Sequence, residues 1–67
     1  MLISSFSKMT DAGKFKVEVH QVSSGYRMNF YDNTGKIIRT QDCLKEDLSS
    51  VGQIAENWLV GIQQLNG

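Results

Sequence analysis

Among the residue types able to do acid, base or nucleophilic work, only His20 and Cys43 stand out. His20 follows Val19 on an alternating stretch, and Glu18 lies two residues earlier on the same side, so an acid/base pair is geometrically open to this chain. The ordinary fate of a histidine on a solvated strand face is to be a surface residue. A pocket of ligand size is also hard to build in 67 residues. Cys43 falls where a strand gives way to a helix, and a helix N-terminus would lower its pKa. With no second histidine or cysteine to assist it, a plain thiol is the expected reading. No phosphate-binding glycine pattern is present, and one histidine with one cysteine is too few for a closed zinc site. The expectation is a non-enzymatic protein without cofactor or metal.

A second set of residues suits binding. Lys14, Lys16, His20, Arg27, Asn29 and Tyr31 fall on one side of two alternating stretches, and Arg39 joins them if Ile38 is the inward residue of its strand. Cations that follow a phosphate backbone, beside an aromatic ring on which a base can stack, are what sequence-tolerant single-strand binding requires. Any sheet solvated on one face also carries lysine, arginine and tyrosine there, and the formal net charge of zero is far from that of a strongly basic domain.

The elements that would hold these residues follow from periodicity. Lys14 to Val22 sets Phe15, Val17 and Val19 against Lys14, Lys16, Glu18 and His20, a half-buried strand. Ser23, Ser24 and Gly25 close a hairpin to Tyr26–Asp32, where Tyr26, Met28 and Phe30 alternate with Arg27, Asn29 and Tyr31. Asp32-Asn33-Thr34-Gly35 is the strongest turn signal, and Lys36 to Gln41 should return as a third strand. In that strand Ile37 and Ile38 are adjacent, so either could face inward. Met1 to Met9 is weakly patterned, an edge strand or a frayed end.

Leu44, Leu48, Val51, Ala55, Trp58, Ile62 and Leu65 recur at spacings of four and three, one face of a helix. Asp42 could cap it, or Ser50 with Gln53 could form a capping box. Gly52, costly inside a helix, favours a helix of about Asp47 to Leu65 ended by Asn66 and Gly67. The apolar faces of helix and sheet must cover one another, with Trp58 at the centre. The expected fold is a single α+β domain over 1–67: an antiparallel meander of three or four strands, then one amphipathic helix across one face.

A chain this short buries only about 60% of its unfolded surface, so added support is expected. One cysteine excludes an internal disulfide. The span 1–41 carries a formal charge of +3 and 42–67 one of −3, which would let halves attract within or between molecules. A homodimer is the expected support, and Ile54, Leu59 and Val60 are the helix residues left for a partner if the sheet covers only one side of the helix. No apolar run approaches the ~18 residues of a membrane span and no signal-peptide pattern opens the chain, so a cytoplasmic location is expected.

Two resemblances add to this. Strands followed by one C-terminal helix resemble in order the positive-cofactor-four and Whirly type of single-stranded-DNA-binding proteins, if Met1 to Met9 is a fourth strand. That likeness implies a helix-mediated dimer with nucleic acid on the sheet. Tyr31-Asp32-Asn33-Thr34-Gly35-Lys36, followed by Ala55-Glu56-Asn57-Trp58 and Gly61, resembles small uncharacterised proteins of tailed viruses that infect cyanobacteria. That likeness implies a viral accessory protein in a bacterial cytoplasm, acting by binding host machinery. The function expected is protein–protein interaction, with single-stranded nucleic-acid binding as the alternative.

Overall fold

A computed structural model describes residues 1–66, with side chains through residue 62. Four strands, β1 (Leu2–Thr10), β2 (Gly13–Val22), β3 (Gly25–Tyr31) and β4 (Ile37–Cys43), precede one helix, α1 (Leu48–Asn66). The sheet is an antiparallel meander in the order β1-β2-β3-β4. The α+β fold expected from periodicity is the fold observed, and its first stretch is a full edge strand.

The last turn of the sheet is built by one carboxylate. Asp32 Oδ1 accepts from the Thr34 amide at 2.8 Å, the Thr34 hydroxyl at 2.6 Å and the Lys36 amide at 3.1 Å. The Gly35 amide donates to the Asp32 carbonyl at 3.1 Å, closing the reversal. The helix opens on another aspartate. Asp47 accepts from the Ser50 amide at 2.8 Å through its side chain and from the Val51 amide at 3.1 Å through its carbonyl, so Asp47 is the N-cap, in place of Asp42 or Ser50. Its pKa is lowered, chiefly by the Ser50 amide.

The core comprises Val17, Val19, Met28, Phe30 and Cys43 from the sheet with Val51, Ala55 and Leu59 from α1. The buried helix residues fall every four positions, so the stripe is centred on Val51, Ala55 and Leu59, with Ile54 and Trp58 packed at its flanks. Trp58 is therefore half-buried and off-centre. It meets Phe30 edge-on at 5.1 Å and Phe15 at 6.3 Å between ring centroids. Leu44 precedes the helix and is exposed, as is Leu48 at its first position. The heptad run upstream of the cap thus continues no helical face. Gly67 and the side chains of Leu65 and Asn66 lie outside the described residues. Gly52 lies inside the helix facing the Phe6 ring of β1, where an added Cβ would stand in ordinary contact at 3.4 Å.

α1 lies over β1 and β2. On β4 the register shifts at Phe30/Tyr31, with Arg39 opposite Phe30 and Ile37 opposite Tyr31, which makes Ile38 a bulge. Both isoleucines are exposed. The bulge has a physical reason. Continuing the turn's register without it would place Ile38 opposite Phe30 and Asp42 opposite Tyr26, on the core side. The extra residue swaps Cys43 into the core and returns Asp42 to solvent, avoiding a buried carboxylate.

Two stability outcomes follow. Trp58→Ala should cost about 3 kcal/mol in chemical denaturation, the low end for tryptophan because the ring is only half-buried. Gly25 has φ +149, and a Cβ there would come 2.5 Å from the Cys43 carbonyl oxygen and 3.0 Å from Leu44 Cα, whereas Gly35 at φ +85 has open space around it. Gly25→Ala should therefore lower the denaturation midpoint clearly more than Gly35→Ala, whose cost is the ~1 kcal/mol of an unfavourable backbone alone.

Candidate functional site

The outer sheet face collects the predicted binding residues by register. Lys16 stands opposite Tyr31, Glu18 opposite Asn29, and His20 opposite Arg27, with Lys14 beyond them toward the β1–β2 turn. All of the predicted residues except Arg39 share this face. Arg39 is the correction: directly opposite Phe30, it lies on the helix side of the sheet, because the Ile38 bulge inverts its side. Its guanidinium stands 5.0 Å from the Phe30 ring centre and donates to Gln41 Oε1 at 2.6 Å. There it covers aromatic surface that α1 leaves open.

The cations on the outer face are largely spent on neighbours. Lys16 Nζ lies 3.3 Å from Glu18 Oε2 and 4.5 Å from the Tyr31 ring centre. Arg27 pairs with Asp42 across β3 and β4, at 2.8 Å from Nε and 3.4 Å from Nη2. The Tyr31 hydroxyl donates to Glu18 Oε1 at 2.8 Å, and His20 Nε2 is 3.4 Å from the same oxygen. Asn29 Oδ1 accepts from the Thr40 hydroxyl at 3.0 Å. Glu18 is the hub: the Tyr31 hydroxyl first, then Lys16 and His20, hold its pKa below the ordinary value against partial burial, while Glu18 pushes the Tyr31 phenol up. Arg27 in turn lowers Asp42. Sequence reasoning missed Asp42 and Thr40 as partners on this face. Their separation from Arg27 and Asn29 could be counted back from the Asp32–Gly35 turn, but only with knowledge of the bulge.

Lys14 is exposed and borders a shallow recess of about 230 Å³ with Lys16, Tyr31, Asp32, Asn33 and Gly35. On the opposite face, a groove of about 280 Å³ runs between β1 and α1, lined by Phe6, Ser7, Lys8, Glu56, Leu59 and Val60. Of the helix residues expected to be left over for a partner, Val60 is half exposed and Ile54 packs against the core. Leu59 is a correction: at 5% exposure it is a core residue, since the stripe is centred one position later than the heptad implies.

The two nucleophile candidates end in different surroundings. His20 stays on the open face beside Glu18. Cys43 is the last residue of β4, buried, with Sγ 3.7 Å from Met28 Sδ, and α1 begins only at Leu48. Burial first, then Glu46, raises its pKa, the reverse of helix-end activation. Among the described residues no group of histidine, cysteine and carboxylate side chains is placed to hold a metal ion, and no helix is long and apolar enough to cross a membrane.

A depressed Glu18 pKa contributes stability that is present above the ordinary carboxylate range and lost as pH falls through the lowered folded value. Tyr31→Phe should raise the Glu18 pKa in a carboxyl NMR titration, and Glu18→Gln should flatten the loss of stability on acidification. An unmoved Glu18 titration would show that the hydroxyl does not hold the carboxylate.

No protein-family model matches the chain, and no curated protein or solved structure shows significant similarity to it.

Proposed function

We propose that this protein is a non-enzymatic binding domain that acts through protein–protein interaction at the outer edge of β1 and the groove between β1 and α1. The observation that carries this reading is the groove itself. Its apolar lining of Phe6, Leu59 and Val60 lies next to a sheet edge, and Val60 keeps half of its surface open. Apolar surface beside unpaired strand backbone is the arrangement that strand-adding partners use. The viral accessory role in a bacterial cytoplasm belongs to the same proposal, supported by the resemblance of Tyr31–Lys36 and Ala55–Trp58.

Single-stranded nucleic acid is the second reading, favoured by the recess in which Lys14, Lys16, Tyr31 and Asn33 meet. Against it, Lys16 and Arg27 already face carboxylates and Arg39 is on the other side of the sheet. Few cations then remain to release counterions from phosphate.

Immobilised protein tests both. Bound proteins lost on Val60→Asp but kept on Lys16→Glu support the groove, and equal retention by both variants would sink it. Salt-sensitive micromolar binding of a single-stranded oligonucleotide, abolished in Lys14→Glu, would move the assignment to nucleic acid.

A further inference from the structure

We infer that the occupant of this edge is a second copy of the chain, paired antiparallel β1 to β1 about a two-fold axis at Ser7; the inference rests on the protein-binding reading above and names its partner. Backbone geometry fixes which groups are free. Met1 and Gln21 exchange both backbone hydrogen bonds, at 2.7 and 2.9 Å. In an antiparallel ladder bonded pairs alternate, so Gln21, Val19, Val17 and Phe15 turn their backbone toward β1. Ser4, Phe6 and Lys8 stand opposite the last three of these. The amides and carbonyls of Ser5, Ser7 and Met9 therefore point out of the sheet.

The register follows from what lies beside that edge. Phe6, Ser7 and Lys8 are the strand residues of the groove, so an axis at Ser7 brings two copies of the groove face to face. Ser7 then pairs with Ser7 of the copy, a small residue against itself, and Ser5 pairs with Met9. Lys8 of each copy falls opposite Phe6 of the other, beside the groove that holds Glu56, so each rim meets the opposite charge. Val60, half exposed, and Met9, exposed over 72% of its surface, lose solvent contact on the two faces of the joined sheet. Zero formal net charge leaves no overall repulsion between copies. A standard interface takes about 800 Å² from each partner. That is less than a fifth of the 4359 Å² this chain exposes, a share within reach of a strand edge with a groove alongside.

Sedimentation equilibrium of the purified protein tests this directly. The wild type should be dimeric at micromolar concentration. Ser7→Pro removes an outward donor without touching the β1–β2 ladder, and should raise the dimer dissociation constant at least about tenfold while the near-ultraviolet signal of Trp58 is kept. Ser7→Cys should form an inter-chain disulfide on mild oxidation, since bonded antiparallel residues sit about 5.5 Å apart at Cα. Cys43, being buried, should leave the wild type uncrosslinked. A monomeric wild type, or a dimer that Ser7→Cys does not crosslink, overturns the inference. If captured proteins are still lost on Val60→Asp in that event, the edge serves a different partner and the protein-binding reading stands; if they are not, both fall.

Discussion

One helix cannot cover four strands, and the rest of the molecule answers to that shortage. α1 buries Val51, Ala55 and Leu59 against Val17, Val19, Met28 and Phe30, and lies toward the β1 side of the sheet. Gly52 of α1 faces the Phe6 ring of β1 across this contact. What lies beyond the helix must be made tolerable in water by other means. On β4 this is done with polar residues, Arg39 spread over Phe30 and Gln41 beside Cys43, in positions where an apolar side chain would have found no cover.

The outer face obeys a different rule, cross-strand charge matching. Glu18 at the middle strand gathers Tyr31, Lys16 and His20, and Asp42 neutralises Arg27. These exposed pairs each contribute little to stability. Their larger effect is on register, since sliding one strand by a residue would set Glu18 and Asp42 among the core side chains. Composition made this face look like a basic surface, whereas pairing makes it close to neutral.

Local signals carried most of the fold. The alternation on β2 and β3 and the Asp-Asn-Thr-Gly turn were readable because each is decided within a few residues. The start of α1 was readable within a few residues from the penalty at Gly52, although the cap itself proved to be Asp47. What could not be read depended on pairing between distant segments. The Ile38 bulge is chosen by which of Asp42 and Cys43 enters the core, and that choice alone decides the side of Arg39. Likewise the helix stripe reads equally well with Trp58 or Leu59 at its centre, until the two phenylalanines beneath place the larger ring at the flank. The candidate groove was visible only as Leu59 and Val60, because Phe6 and Ser7 belong to a weakly patterned strand.

The bulge on β4 has a further consequence for colloidal behaviour. A flat sheet with two plain edges is a template for open-ended growth, each added strand exposing another like it. Here the edges differ. β1 is regular from Ser4 to Thr10, whereas β4 is kinked at Ile38 and carries Arg39 and Asp42 along its length. Any assembly that consumes the β1 edge presents only the kinked one to the outside, so the molecule can be adhesive on one side and still resist fibrillation.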